Sequence, residues 1–300
     1  MDTGLVLVRF VHYGASLVLF GLVLFPLYAY PSVAGGAGSS APAISRSVSL
    51  LVLITGIAWF IGVAASMSDA GLSWEAARFI VTETSFGTVS LLRLGAGLAA
   101  LSILTLRFGL SIKKLDLVLV AVCAILLGSL AAVGHTQVED GPARAAHSFS
   151  DALHLLAAGA WLGGLVGLMR LTFASFYGNE PIGQACEAAY RFSKMGYMAV
   201  AILVASGLFN SWFLVGSLTN LVATAYGRLL LLKLVLFAAM VGFAGLNRFL
   251  VVPTLLRSAA GASKHGLRRL LINMVAELSL GSAIVLIVSV LGTTEPAGAS

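Results

Sequence analysis

Eight apolar runs divide this chain of 300 residues, at 5–30, 45–67, 87–107, 116–134, 149–170, 195–216, 227–250 and 270–292. Each approaches or exceeds the roughly 20 residues that cross a hydrocarbon core. In lipid, a backbone finds hydrogen-bond partners only inside a helix or a closed barrel, and runs of this length predict helices. Only 10% of the residues are charged and 59% are hydrophobic, against roughly 25% charged in soluble domains. The expected fold class is therefore all-α: a polytopic membrane protein of eight transmembrane helices, with the lipid bilayer as its main partner.

The basic residues orient the spans. Arg46 precedes span 2; Arg107, Lys113 and Lys114 separate spans 3 and 4. Arg170, Arg191 and Lys194 separate spans 5 and 6, and Arg248, Arg257, Lys264, Arg268 and Arg269 separate spans 7 and 8. All four connectors fall on one side and hold twelve of the eighteen Lys and Arg residues. Short basic loops stay in the cytoplasm, so both termini are expected to face outward. Net charge +6 follows from this asymmetry and needs no nucleic acid. Span 1 is too long for a signal-peptide core, and MDTG is not a positive leader, so it is expected to be retained.

A tandem 4+4 repeat is suggested by four correspondences in order. His12 aligns with His154, which brings Gly21 onto Gly163. ITGIAW in span 2 matches ASGLFNSW in span 6. Gly87 and Arg93 open span 3 as Gly227 and Lys233 open span 7, and GHT closes span 4 where GTT closes span 8. A charge inside a span is costly and rare, so the matched imidazoles and in-span cations carry the argument. The expected halves are 1–142 and 143–300, related by an axis along the membrane normal. On that axis His12 and His154 would face each other.

The chemistry concentrates at GHTQVEDGPARAAHSFSDALHLL. His135 ends span 4, His147 opens span 5, and His154 lies ~10 Å below that start, with His12 at a similar depth. Asp151 and His154 are three apart and share a helix face. Met67 lies at the outer end of span 2. Imidazole is the commonest metal-binding side chain, a neighbouring carboxylate can bind metal or orient the ring, and imidazoles with a thioether suit copper. The candidate metal ligands are thus His12, His154, His147, His135, Asp151 and Met67. Each also has a structural reading. Asp151 fits a capping box from Ser148, and His147 and His135 fit interfacial or loop positions. His12 and His154 could simply bond a neighbouring helix's hydroxyl, and Met67 could pack at the lipid boundary. Arg93 and Lys233 could reach outward to water or pair with Glu83 or Asp69. Trp59, Trp161 and Trp212 read as packing or interfacial residues.

Cys123 lies in an apolar run and Cys186 in a polar connector, so no disulfide is expected. There is no Gly-rich phosphate loop, GxSxG or HExxH, and no catalytic residue is assigned; an enzyme is disfavoured. No His or carboxylate ladder is apparent in the inner half of the spans. Two histidines at equal depth also admit an alternative: axial ligation of haem b in a membrane electron-transfer protein.

SDALHLLAAGAWLGGLVGLMRL, with Arg191-Phe192-Ser193, Ser206-Gly207 and Tyr226-Gly227…Lys233, resembles the bacterial copper-resistance protein D family (CopD/PcoD), most clearly over 145–250. The resemblance implies copper handling in the bacterial inner membrane, usually uptake from the periplasm toward the cytoplasm. It also implies a separate periplasmic CopC-like copper-binding partner. The chain lacks the Met-rich tracts of many copper transporters; its seven methionines are scattered.

Overall fold

The computed structural model describes residues 3–30, 41–66, 73–106, 112–133, 141–215, 217–257 and 264–294. Among them there is no strand. The helices are α1 (Thr3–Ala29), α2 (Ala41–Ser66), α3 (Trp74–Glu83), α4 (Ser85–Thr105), α5 (Ile112–Gly128), α6 (Gly141–Phe176), α7 (Ile182–Val215), α8 (Leu218–Ala223), α9 (Ala225–Leu246), α10 (Val252–Arg257) and α11 (Lys264–Leu291). A 3₁₀ turn, Ser129–Val133, extends α5, and a π turn, Asn247–Val251, joins α9 to α10. Eight of the helical segments are long and apolar enough to span a bilayer, as the eight runs predict.

Two helices form the axis. α1 is 61% and α6 56% buried across their apolar windows, against 6% for the α9 segment. α6 packs most extensively on α1 and α7, and α1 on α6 and α2. The α1–α6 crossing is made of glycine. A Cβ on Gly21 would strike Gly159 and Gly163, and one on Gly163 would lie 2.5 Å from Leu17 O and 2.7 Å from Gly21 Cα. Small residues let membrane helices approach until their backbones touch. In the alignment of His12 with His154, Leu17 corresponds to Gly159 and Gly21 to Gly163. The contact is therefore reciprocal.

A second pair of segments has matching local geometry. α3 ends at Thr84, whose Oγ1 donates to Ile80 O (2.6 Å) and accepts from Gly87 N (3.1 Å) as α4 begins. α8 ends at Thr224, whose Oγ1 donates to Asn220 O (2.7 Å) and accepts from Gly227 N (2.9 Å) as α9 begins. Neither short helix is anticipated by the apolar runs.

The core forms two main clusters. One gathers mainly α1, α2, α4 and α5, the other mainly α7, α9, α10 and α11; α6 contributes to both, as do α1 through Phe25 and Ala29 and α11 through Val285. Leu91, Leu98, Phe209, Leu232 and Val235 stand exposed on the outside of the bundle, where lipid covers them in a membrane.

α6 and α7 are longer than their apolar runs, because both helices continue past the expected hydrocarbon boundary. Gly178, at φ +81°, makes the left-handed turn that closes α6. Cys186, Arg191 and Lys194 consequently belong to the first turns of α7 and not to a connector. Cys123 and Cys186 are both buried and free. α6 also begins at Gly141, so Ser148 lies inside the helix and the capping box at Asp151 does not form.

Candidate metal site

Each in-span imidazole bonds a hydroxyl of the next helix. His12 Nδ1 lies 2.9 Å from Thr55 Oγ1, and His154 Nδ1 lies 2.9 Å from Ser206 Oγ. The hydroxyls favour one direction. Thr55 sends its one proton to Leu51 O (2.7 Å) and Ser206 sends its own to Ile202 O (2.5 Å). Each oxygen then accepts from Nδ1–H, and in that tautomer Nε2 presents a bare lone pair. A glycine follows each hydroxyl residue, and the ring edge rests over it. A Cβ on Gly56 would sit 3.3 Å from His12 Cε1, and one on Gly207 would sit 3.7 Å from His154 Cε1. The hydroxyl reading of both histidines is thus met, and it leaves a metal-competent nitrogen free: metal-binding imidazoles characteristically donate their other N–H to such a partner.

Around His154 the groups are of both signs. Asp151, one turn earlier on α6, accepts a 3.2 Å bond from Asn210 Nδ2 on α7. Asn210 Oδ1 is buried without a partner. Lys233 of α9 and His147 lie within Coulombic reach of Asp151, and Lys233 within reach of His154. His147 is buried, at 2% exposure, and lies inside α6 and not at its start. His135 and Met67 lie outside the described residues. Among the described residues no group of three His, Cys, Asp or Glu side chains converges.

His12 has a different setting. Its pocket, of about 10 Å³, is lined by Gly56, Trp59, Phe86, Ser90 and Arg93 among others, with no carboxylate. Arg93 is 4% exposed, its guanidinium 4.9 Å from the Trp59 ring centre; it neither reaches outward to water nor meets Glu83. Arg9 stands 5.4 Å from the same ring and donates to Gly292 O at 2.7 Å. Nε2 of His12 and Nε and one terminal nitrogen of Arg93 are buried without partners. In the alignment, Arg9 occupies the place of Asp151. The expectation that the two rings face each other is not met: His12 turns to α2 and α4, His154 to α7. The same glycine crossing that brings α1 against α6 directs each ring toward its own flank. The His12 pocket has room for a water-sized particle and none for a porphyrin, so a haem bridging the two rings does not fit.

One polar network was not anticipated. Glu277, about midway along α11 and 1% exposed, accepts from Asn247 Nδ2 at 2.7 Å and from Trp161 Nε1 at 3.4 Å. Asn273 Nδ2 donates to Asn247 Oδ1 at 2.8 Å. Trp161 is therefore more than packing, and among the described residues a single buried carboxylate, though no ladder of them, stands deeper in the spans. The signal was present: a lone Glu inside LINMVAELSLGSAIV is costly in a span and marks function by default.

Two family profiles match the chain: the copper resistance protein D-like N-terminal domain over residues 1–146, and copper resistance protein D over residues 186–291. Copper resistance protein D of Pseudomonas syringae pv. tomato is 32% identical over 298 residues, 96% of each chain. Inner membrane protein YebZ of Escherichia coli (strain K12) is 28% identical over 296 residues, 96% of this chain and 97% of its own. Copper transport protein CutJ of Bacillus subtilis (strain 168) is 38% identical over 90 residues, 30% of this chain and 16% of its own. No solved structure matches. A relationship that runs almost end to end, together with eight membrane-capable helices, places this chain in the copper resistance protein D family.

Proposed function

We propose that the chain is a copper carrier of the bacterial inner membrane, with no catalytic role of its own, taking copper from the periplasm toward the cytoplasm. The relatives named for copper resistance and copper transport support the cargo, and the inner-membrane relative supports the location. The basic connectors support periplasmic termini. The reciprocal glycine contact and the paired Thr84 and Thr224 turns support a 4+4 duplication with halves 1–142 and 143–300.

Copper enters at the C-terminal half. One observation carries this assignment: Ser206 holds the Nδ1 hydrogen of His154, leaving Nε2 bare, one turn from the carboxylate of Asp151. His147 and the unpartnered Asn210 Oδ1 lie on the same elements, and His135 and Met67 are the sequence candidates that complete the ligand set. His12 is the weaker ligand. A cation at its Nε2 meets Arg93 with no carboxylate to offset the charge, so this pocket suits water. A CopC-like periplasmic partner would deliver copper to the end that bears the termini.

The test is copper accumulation in cells expressing the wild-type chain or His154→Ala at equal membrane abundance. The variant should accumulate no more copper than cells without the chain. Accumulation and copper tolerance equal to wild type would remove the carrier reading.

A further inference from the structure

A cavity of about 390 Å³ runs between α6, α7, α9 and α11, from Trp161 and Glu277 to Ala189, Ser193 and Arg248. These last residues belong to the end of the bundle where the basic connectors lie. We propose that Glu277 is a second cation-binding station on the copper path, placed at the buried Trp161 end of this cavity, from which the ion leaves toward the basic end. The proposal rests on the carrier reading above, and it supplies the inward route which the histidines do not.

The first argument is position. Trp161 is seven residues after His154 on α6, on the same face and ~10 Å further along the axis. Its indole nitrogen touches Glu277. The face that carries His147, Asp151 and His154 thus leads directly to the carboxylate.

The second is charge. A carboxylate in the middle of a span requires a counter-charge or a proton. Among the described residues no Lys, Arg or His pairs with Glu277; its contacts are the neutral donors Asn247 and Trp161. Asn273 fixes the Asn247 amide by donating to its oxygen, which turns Nδ2 toward Glu277. The network holds the carboxylate in place without neutralising it. Arg248, at the other end of the cavity, keeps its charge but is drawn onto the Tyr190 and Tyr197 rings at 5.0 and 5.6 Å.

The third is the cavity itself. Its walls are mostly aliphatic and aromatic; beyond Glu277 the polar lining is Ser193, Tyr197 and Asn247, with the charged Arg248 at the far end. An ion that leaves Glu277 meets little that would hold it, as conduction requires. The π turn at Asn247–Val251 lies in this wall; such turns recur at functional sites. The position aligned with Trp161 in the first half is Leu19, fully buried, so the first half has no indole at this place.

The experiment uses the full chain in lipid nanodiscs, with dicyclohexylcarbodiimide as a carboxyl label and copper ions as the probe. Peptide mass spectrometry should find Glu277 labelled without metal and protected by copper, its labelling reduced about tenfold at saturation. In cells, Glu277→Gln should cut copper accumulation by about tenfold or more, while the purified variant still binds copper at His154. Labelling of Glu277 that copper does not change, or wild-type accumulation by Glu277→Gln, overturns the proposal. The labelling is read on the wild-type chain, so a misfolded variant does not obscure it. Loss of the carrier reading shows separately, as wild-type accumulation by His154→Ala.

Discussion

Asn210 donates to Asp151 over 3.2 Å, one turn from the bond that joins Ser206 to His154 across the same two helices. Two polar pairs therefore staple α6 to α7 and fix the ring and the carboxylate of the candidate site together. Hydrogen-bonded outer partners of this kind set the tautomer and orientation of a ligand, so disturbing them should change copper binding in a defined direction.

Ser206→Ala removes the acceptor that holds His154 Nδ1–H. Copper affinity of the purified chain should fall about 10–100-fold, measured by competition with a chromophoric chelator. Thr55→Ala, the corresponding change beside His12, should leave that affinity unchanged. Equal losses in both variants would contradict the assignment of copper to the second half.

Lys233→Met should strengthen copper binding, and Asp151→Asn should weaken it by about tenfold or more. The sign comes from charge alone. Lys233 acts on both Asp151 and His154, and a cation at the site is repelled by the ammonium and attracted by the carboxylate. Weaker binding in Lys233→Met would place the ion away from this pair.

Gly163→Leu should abolish the folded monomer in detergent, read by size-exclusion chromatography and thermal melting. Overpacking a close-packed contact costs about 1–3 kcal/mol or more, and here the added side chain meets backbone on α1. Gly95→Ala is the control. No atom lies within 4 Å of a Cβ there, and Ala is favoured over Gly in a helix by about 0.5–1 kcal/mol, so the melt should not fall.

The orientation is tested by membrane-impermeant maleimide on spheroplasts. Cysteine in place of Ser300 should label from outside, whereas cysteine in place of Ser263, in the basic connector, should label only after lysis. Cys123 and Cys186 are buried and give little background. The opposite pattern would invert the direction of the whole path.

Hydropathy alone was enough to place the eight helices, because each run is long enough to cross a bilayer and a backbone in lipid has no other partner. The order of residues also showed where charge is unexpected: His12, Arg93, His154 and Lys233 stand out in any apolar run. Helix ends were less legible. Hydropathy marks where lipid stops, not where a helix stops, so the long polar extensions of α6 and α7 and the short α3 and α8 went unseen.

Direction was legible least of all. Periodicity places His12 and His154 at matching depths, but only the packed bundle decides which neighbour each ring meets. The glycine contact of α1 on α6 turns the two imidazoles to opposite flanks, one to Trp59 and Arg93, the other to Ser206 beside Asp151. Glu277 was visible as a letter, yet its meaning depends on Trp161 and Asn247, which packing brings in from α6 and from the π turn. A residue's cost in lipid is set by its own chemistry, and its purpose by the partners that packing delivers.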